Sequence, residues 1–416
     1  MSHVLRAALA VLVALAAPAP VRADSLNEWN AKAAEILAAT KVPPPPALRT
    51  MAIVQTAVLE AVNAITGRYP AQRARLKGAP GASPKASPGA SIDAAIAAAN
   101  RAVLAALVTG QADAIEAAYR AALATIPDSA ARTAGIALGE AAAADVLAQR
   151  SDDGTSAPEG YRPRTTPGVY VPTTIPAATQ WPQRRPWAMA RPDQYRPGPP
   201  PELRSPRWAK DYNEIKVLGA RNSATRTAAQ TAVARFWEMT GPAIYFPLVR
   251  SVTGAAGRDV TQNARLLAMV AQALDDAAIA VFDAKYHHSF WRPITAIRNG
   301  DLDGNDATDP EVGWQPLIET PMHPEYPCAH CTFASTIGAV LAAEVGRAPM
   351  PRLTTTSATA GGAVHTWNTV DEMVAEVSSA RIWAGVHYRA STEAGAELGK
   401  NVGAEVARQF LAAPHK

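Results

Sequence analysis

The chain has 416 residues, 48% of them hydrophobic and 18% charged, with a formal net charge of +4. That is enough chain for one large core or two smaller ones. The balance is too weakly basic for a nucleic-acid binder, and no basic run carries interleaved aromatics. Any anion site must be local.

The first 23 residues read as an export leader. Arg6 precedes an apolar run from about Ala7 to Ala17, and Val21-Arg22-Ala23 forms a small-x-small cleavage site. The run is short and broken by Pro18 and Pro20, which argues against a membrane span; an uncleaved anchor is the alternative. The expectation is a periplasmic or secreted chain starting at Asp24, with no stable membrane span after signal cleavage. Loss of Arg6 and Arg22 lowers the formal charge from +4 to about +2.

Between residues 24 and 210, apolar residues recur at i, i+3 and i+4 over 26–38, 48–66, 91–125 and 130–149, which predicts helices. GAPGASPKASPGAS (78–91) predicts a low-complexity surface loop. Residues 151–208 are crowded with proline, which denies regular helix and sheet. They also carry Trp181 and Trp187, so the prediction is an ordered connection packed over helices, with proline-rich recognition bait as the alternative.

Helical spacing resumes over 211–220, 223–239, 260–290, 328–346, 367–383 and 392–411. Period-2 alternation is nearly absent, so the predicted fold is all-α, with 24–210 and 211–416 forming one compact unit. There is no fixed-period repeat and no phosphate-cradling glycine loop. DLDGNDATD (301–309) lacks the glycine and glutamate of a calcium loop and reads as an acidic surface loop.

Three short stretches carry chemistry. In KYHHSFWRP (285–293), Lys285, His288 and Arg292 continue the apolar stripe of the preceding helix. Lys285 and Arg292 are seven residues apart, two helical turns, so both can face one point. Such buried cations need an anion: protein carboxylates such as Asp275, Asp276 or Asp283, or a ligand.

In HPEYPCAHC (323–331), Pro327 precedes a helical pattern that puts Cys328, Ala329 and His330 at a helix N-terminus. Free amides and the helix dipole favour an anion there, and a histidine can act on it as acid or base. A histidine simply satisfied near a helix end is the alternative. A disulfide between Cys328 and Cys331 is expected, because positions i and i+3 lie within bridging distance in an oxidising compartment. A redox dithiol competes with it, without the strand–helix alternation that such enzymes show. A zinc knuckle lacks a second ligand pair.

In SARIWAGVHYRASTEAG (379–395), Arg381 and His387 are six residues apart and would not share a face of one helix. Gly385 and the Ser391-Thr392 start signal predict a break that lets both converge. A loop with scattered polar residues is the alternative.

In order and spacing, Lys285-x6-Arg292-Pro293, Pro327-Cys328-Ala329-His330 and Arg381-x5-His387 resemble the motifs of the vanadium-dependent haloperoxidases. Their relatives, the type 2 phosphatidic acid phosphatases and bacterial acid phosphatases, share those motifs. EWNAKAAEIL, AVLEAVNAI, ARFWEM, KYHHSFWRPITAIRNGDLDGN and IWAGVHYRASTEAG are similar to the soluble, exported bacterial branch.

The resemblance implies a helical bundle in which Lys285, Arg292 and Arg381 bind the oxygens of vanadate or phosphate, with the Ala329 amide as a further donor. It implies His387 as the vanadium ligand or phosphoryl acceptor, and His330 as general acid/base. The reactants would be hydrogen peroxide and halide, or a small phosphomonoester, and the enzyme a peroxidase or an acid phosphatase. His323, with His288 in the same halide or substrate pocket, suggests bromide rather than chloride. A homo-oligomer is compatible with this reading.

One departure stands out: the family's Ser-Gly is Cys328-Ala329 here. A serine hydroxyl to a charged partner is worth about 1.5–3 kcal/mol, whereas a thiol is a weak donor. An alanine Cβ also crowds a place where backbone should approach the anion. A non-catalytic oxyanion-binding homologue is therefore the reading from another class.

Overall fold

The structure, a computed structural model, describes residues 24–69 and 88–412. The leader and most of the 78–91 segment lie outside the described residues. In chain order the helices are α1 (Ser25–Ala39), α2 (Pro44–Thr66), α3 (Ile92–Leu107), α4 (Ala112–Ala124), α5 (Ala130–Gln149), α6 (Pro206–Leu218) and α7 (Ala228–Phe236). They continue with α8 (Pro242–Thr253), α9 (Val260–His288), α10 (Pro293–Arg298), α11 (Ala329–Val345), α12 (Val370–Trp383) and α13 (Arg389–Leu411). Between α11 and α12, β1 (Leu353–Ser357) pairs antiparallel with β2 (Ala363–Trp367), Thr355 opposite His365. The fold is all-α apart from this hairpin.

Local signals explain most boundaries. α9 starts at a capping box, with the Asp259 side chain on the Gln262 backbone and the Gln262 side chain returning to Asp259. α2 carries prolines in its first turn, where no helical amide is lost, and ends at Gly67 in the left-handed region (φ 63°). Among the described residues α2 is the one helix long and apolar enough to cross a membrane, and 72% of that window is buried inside the fold.

α2 packs on α3, α5 and α9, and α9 packs in turn on α11 and α13. Leu48 and Val58 of α2, Leu267 and Leu274 of α9, and Val340 of α11 belong to one apolar cluster. Residues before and after position 210 therefore share a core.

Several expectations need correction. The helix predicted over 91–125 breaks at Val108 (φ −128°, ψ 62°), where Thr109–Gln111 form a short tighter turn. α8 was not predicted, because Pro242 and Pro247 mask it; Pro242 sits in the first turn, and the interior Pro247 is tolerated in a helix packed on α1 and β1. The hairpin escaped because β1 is LTTTS, whose alternating burial is written in threonines rather than in apolar residues.

The proline-rich connection is ordered by buried charge. Arg184 bonds both Asp153 and Asp275, and Asp275 also accepts from Trp187 Nε1 at 2.8 Å. Asp276 accepts the backbone N–H groups of Trp187, Ala188 and Met189, and Arg196 pairs with Asp283. The connection thus lies along α9, and it reaches the first motif through Tyr170 N, which donates to the Ser289 carbonyl at 2.8 Å. Asp303 of the acidic loop is buried rather than at the surface, accepting from Trp208 Nε1 at 2.6 Å.

α11 and α13 lie unusually close. Gly395, Gly399 and Gly403 recur every four residues on α13, and a Cβ at each would overlap the carbonyl of Cys328, Thr332 or Thr336 on α11. Only glycine lets the two backbones touch there.

Candidate oxyanion site

α9 ends at His288, and Ser289 turns the chain in the left-handed region (φ 49°, ψ 40°). Arg292 is therefore not on the α9 stripe, as the spacing suggested; it is extended (φ −77°, ψ 152°) at the cap of α10. It reaches the same region as Lys285 through the reversal rather than by helical register. His288 is carried away: its Nε2 meets the Pro197 carbonyl at 3.0 Å, and its ring packs on Tyr326. The structure does not bring His288 together with the other candidates.

Asp275, Asp276 and Asp283 serve the proline-rich connection and do not pair with the cations. Lys285, Arg292 and Arg381 are at most 1% exposed, and no carboxylate among the described residues forms an ion pair with any of them. Lys285 Nζ donates to the carbonyls of Pro324, Glu325 and Pro327. Burial, then Arg292, pushes the Lys285 pKa well below its usual value. Three carbonyl acceptors nevertheless require three N–H donors, which only the ammonium form has. Lys285 thus gives the site a charge while its donors hold the 324–327 loop.

Arg292 Nε donates to the His323 carbonyl at 2.9 Å, and Nη2 lies 2.9 Å from His323 Nδ1. A guanidinium only donates, so His323 Nδ1 is the acceptor, which rules out its donating to the Pro324 carbonyl 3.1 Å away. Half-buried His323 also packs on Phe282. Arg381, from the last turn of α12, has one backbone bond, Nη1 to the Trp237 carbonyl at 2.6 Å, and its Nε is buried without a partner. Burial lowers both arginines to about 10, so both stay cationic at neutral pH.

The second motif caps α11. Cys328 is the N-cap, bridged to Cys331 with Cα atoms 5.4 Å apart. Its Sγ accepts from Cys331 N at 3.2 Å, and the first-turn amides of Ala329 and His330 have no role inside the helix. The His330 ring hydrogen-bonds the Met239 backbone, and its Nε2 is buried without a partner. Burial first, then Arg381, holds His330 well below the usual histidine value, with Lys285 and Arg292 adding to the effect.

The third motif breaks at Gly385 (φ 80°), between α12 and α13, as its sequence suggested. His387 is 1% exposed, with Nε2 3.4 Å from Arg292 Nη1. Its Nδ1 lies 2.8 Å from Oε1 of Glu325, which also accepts from Tyr388 N at 3.1 Å. Burial, then Arg292, Lys285 and Arg381, depresses His387 well below its usual value. Burial pushes Glu325 up to about 7 against the pull of Arg292 and Lys285. With His387 neutral, the contact is an imidazole N–H donating to a carboxyl oxygen rather than an ion pair.

The same three cations thus act on both imidazoles. Three positive charges without an ion-paired carboxylate among the described residues, and buried, unpartnered nitrogens on His330 and Arg381, fit a compact oxyanion such as vanadate or phosphate. The misfit is the missing hydroxyl at the α11 cap, where a bridged sulfur has no proton to donate.

Sequence reasoning missed Glu325 and the Trp237–Met239 turn. A carboxylate inside HPEYP was a visible signal for the first. The turn works through backbone atoms, which no side-chain pattern announces.

Residues 265–414 match the family model described as the VCPO second helical-bundle domain. Vanadium chloroperoxidase of Curvularia inaequalis is 30% identical over 140 residues, 28% of this chain, and the match spans only 23% of that protein's length. The crystal structure of the first bacterial vanadium-dependent iodoperoxidase is similar with a TM-score of 0.78 at 22% identity, covering 92% of this chain and 95% of that one. The holo-type bacterial vanadium-dependent chloroperoxidase gives a TM-score of 0.69 at 16% identity, over 89% and 93% of the two chains. At such identities the structural likeness carries the fold, and the matched segment carries the three motifs. Residues 265–414 are thus similar to the second helical bundle of vanadium chloroperoxidases, and the chain shares its fold with bacterial vanadium-dependent haloperoxidases.

Proposed function

We propose that this protein is an exported vanadate-dependent haloperoxidase that oxidises halide with hydrogen peroxide. The observation that carries the reading is the convergence of Lys285, Arg292 and Arg381, buried without carboxylate partners, on His330 and His387. Arg292, Arg381 and the α11 amides would hold the oxygens of vanadate, and His387 Nε2 would ligate the vanadium. Bound vanadate supplies the Lewis-acidic centre at which peroxide is activated toward halide.

The chain's own part is positioning and proton transfer. His330, kept neutral by burial and by the cations, can take a proton at Nε2 and return it. Lys285 fixes the loop ahead of the α11 cap, and Arg292 fixes His323 beside the site. Bromide is the halide expected from His323.

The test is vanadate-dependent bromination of a dye by peroxide, run beside iodide and chloride, with hydrolysis of a chromogenic phosphate as a further arm. Activity gained on vanadate and lost in His387→Ala supports the reading. No gain with any halide sinks it. Phosphate hydrolysis that vanadate abolishes would establish a phosphohistidine acid phosphatase instead, and vanadate binding without either activity a non-catalytic homologue. Export is tested separately, by the N-terminal sequence of the mature protein, expected to begin at Asp24.

A further inference from the structure

We infer that Glu325 is a positioning residue that sets the tautomer of His387, leaving its Nε2 lone pair free to ligate the oxyanion's central atom. The inference rests on the proposed oxyanion site. Glu325 is fully buried, and its Oε1 meets both His387 Nδ1, at 2.8 Å, and the Tyr388 backbone N–H, at 3.1 Å. The Tyr388 backbone N–H can only donate, so Oε1 accepts from it; with Glu325 ionised the carboxylate has no proton to give, and Nδ1 then carries the imidazole proton. A neutral ring has one N–H, so Nε2 is bare. Arg292 Nη1, 3.4 Å from Nε2, is also a donor and selects the same tautomer. Two independent contacts agree. Carboxylates behind metal-bound imidazoles play this role where the ring must present a defined nitrogen.

A rival role must be separated. Glu325 is also the carboxylate nearest in effect to Lys285 and Arg292, and could serve only as their countercharge. The two roles differ in sign. Removing a negative charge from a cationic pocket tightens the binding of every oxyanion. Losing the positioning oxygen weakens only an oxyanion that bonds to the imidazole nitrogen.

The experiment compares wild type, Glu325→Gln and Glu325→Leu in the full chain, measuring dissociation constants for vanadate and for sulfate, which cannot ligate through its central atom. It adds the His387 tautomer from nitrogen-15 NMR of the vanadate-free protein. Gln keeps an acceptor oxygen and removes the charge; Leu removes both. We expect the Nδ1–H tautomer in wild type and in Glu325→Gln, and a mixture in Glu325→Leu. Vanadate affinity should stay within a few-fold in Glu325→Gln and fall about 10–100-fold in Glu325→Leu, while sulfate affinity holds or rises in both.

Parallel changes for the two anions would reduce Glu325 to a countercharge and overturn the inference. So would a wild-type His387 protonated on Nε2, a result that stands even if Glu325→Leu does not fold. Wild type binding vanadate no more tightly than sulfate would sink the vanadate reading itself, and the tautomer would still decide the role of Glu325.

Discussion

Arg292 Nη1 donates to the carbonyl of Val386 at 2.9 Å, so the arginine of the first motif holds the backbone of the third one residue ahead of His387. With Nε and Nη2 on His323, one guanidinium ties together three separated loops. An ammonium cannot span those acceptors. Arg292→Lys, with charge conserved, should therefore lose about 1–3 kcal/mol of stability from buried acceptors left unpaired. Oxyanion affinity should fall roughly tenfold or more, about 1.4 kcal/mol per decade. Urea unfolding and sulfate titration check the two losses; a variant that keeps both would deny Arg292 this tying role.

The bridged cap makes a second prediction. Cys328→Ser/Cys331→Ala removes the disulfide and restores a hydroxyl where the related motif has serine. The closed loop is short, so stability should fall by only about 2 kcal/mol. The hydroxyl should return about 1.5–3 kcal/mol to a bound oxyanion, a gain of roughly 10–100-fold in vanadate affinity. Cys331→Ala alone leaves a thiol, a weaker donor, and should gain less. Equal affinities across the series would show that the cap sulfur is not the weakness of this site.

Proton linkage supplies a third. In the anion-free protein, burial and the three cations hold His330 and His387 below their usual value of about 6.5, so both are neutral at pH 7. A bound anion cancels part of that field and raises both. The complex then holds more protons than the free protein at pH values between the free and the bound pKa values, so over that interval binding takes up protons and tightens as pH falls. Sulfate does not titrate in this range, and calorimetry in two buffers of different ionisation enthalpy measures the uptake directly. Proton release on sulfate binding would contradict the assignment.

A fourth concerns the proline-rich connection. Arg184 and Asp275 are fully buried partners, and Asp275 also accepts from Trp187. Asp275→Ala leaves Arg184 with Asp153 alone and should cost about 3–5 kcal/mol. Sulfate affinity of the folded protein should be unchanged, since the pair does not touch the oxyanion site. A loss of unfolding free energy below about 1 kcal/mol would mean that the connection is held by packing instead.

What sequence made legible was periodic or local. The apolar stripe of α9 and the break at Gly385 could both be read from the sequence. The Lys285/Arg292 and Arg381/His387 spacings located the cations, although the helical-register argument for Arg292 was wrong. Ser289 adopts a left-handed conformation for which serine gives no warning, and that turn also sends His288 away to Pro197. The Glu325–His387 contact spans 62 positions and obeys no period. Carbonyl partners such as that of Trp237 depend on chain path, not on residue type.

The glycine seam has a consequence for redesign. Because α13 rests backbone to backbone on α11, the cap that carries His330 and the helix that follows His387 form one block with almost no slack. The gap between the two imidazoles is therefore the least adjustable dimension of the pocket. Widening the pocket for a larger oxyanion or an organic substrate must draw on residues outside these two helices, such as those of the Trp237–Met239 turn. A graft of the His330 turn into another bundle would need the three glycines of α13 to travel with it.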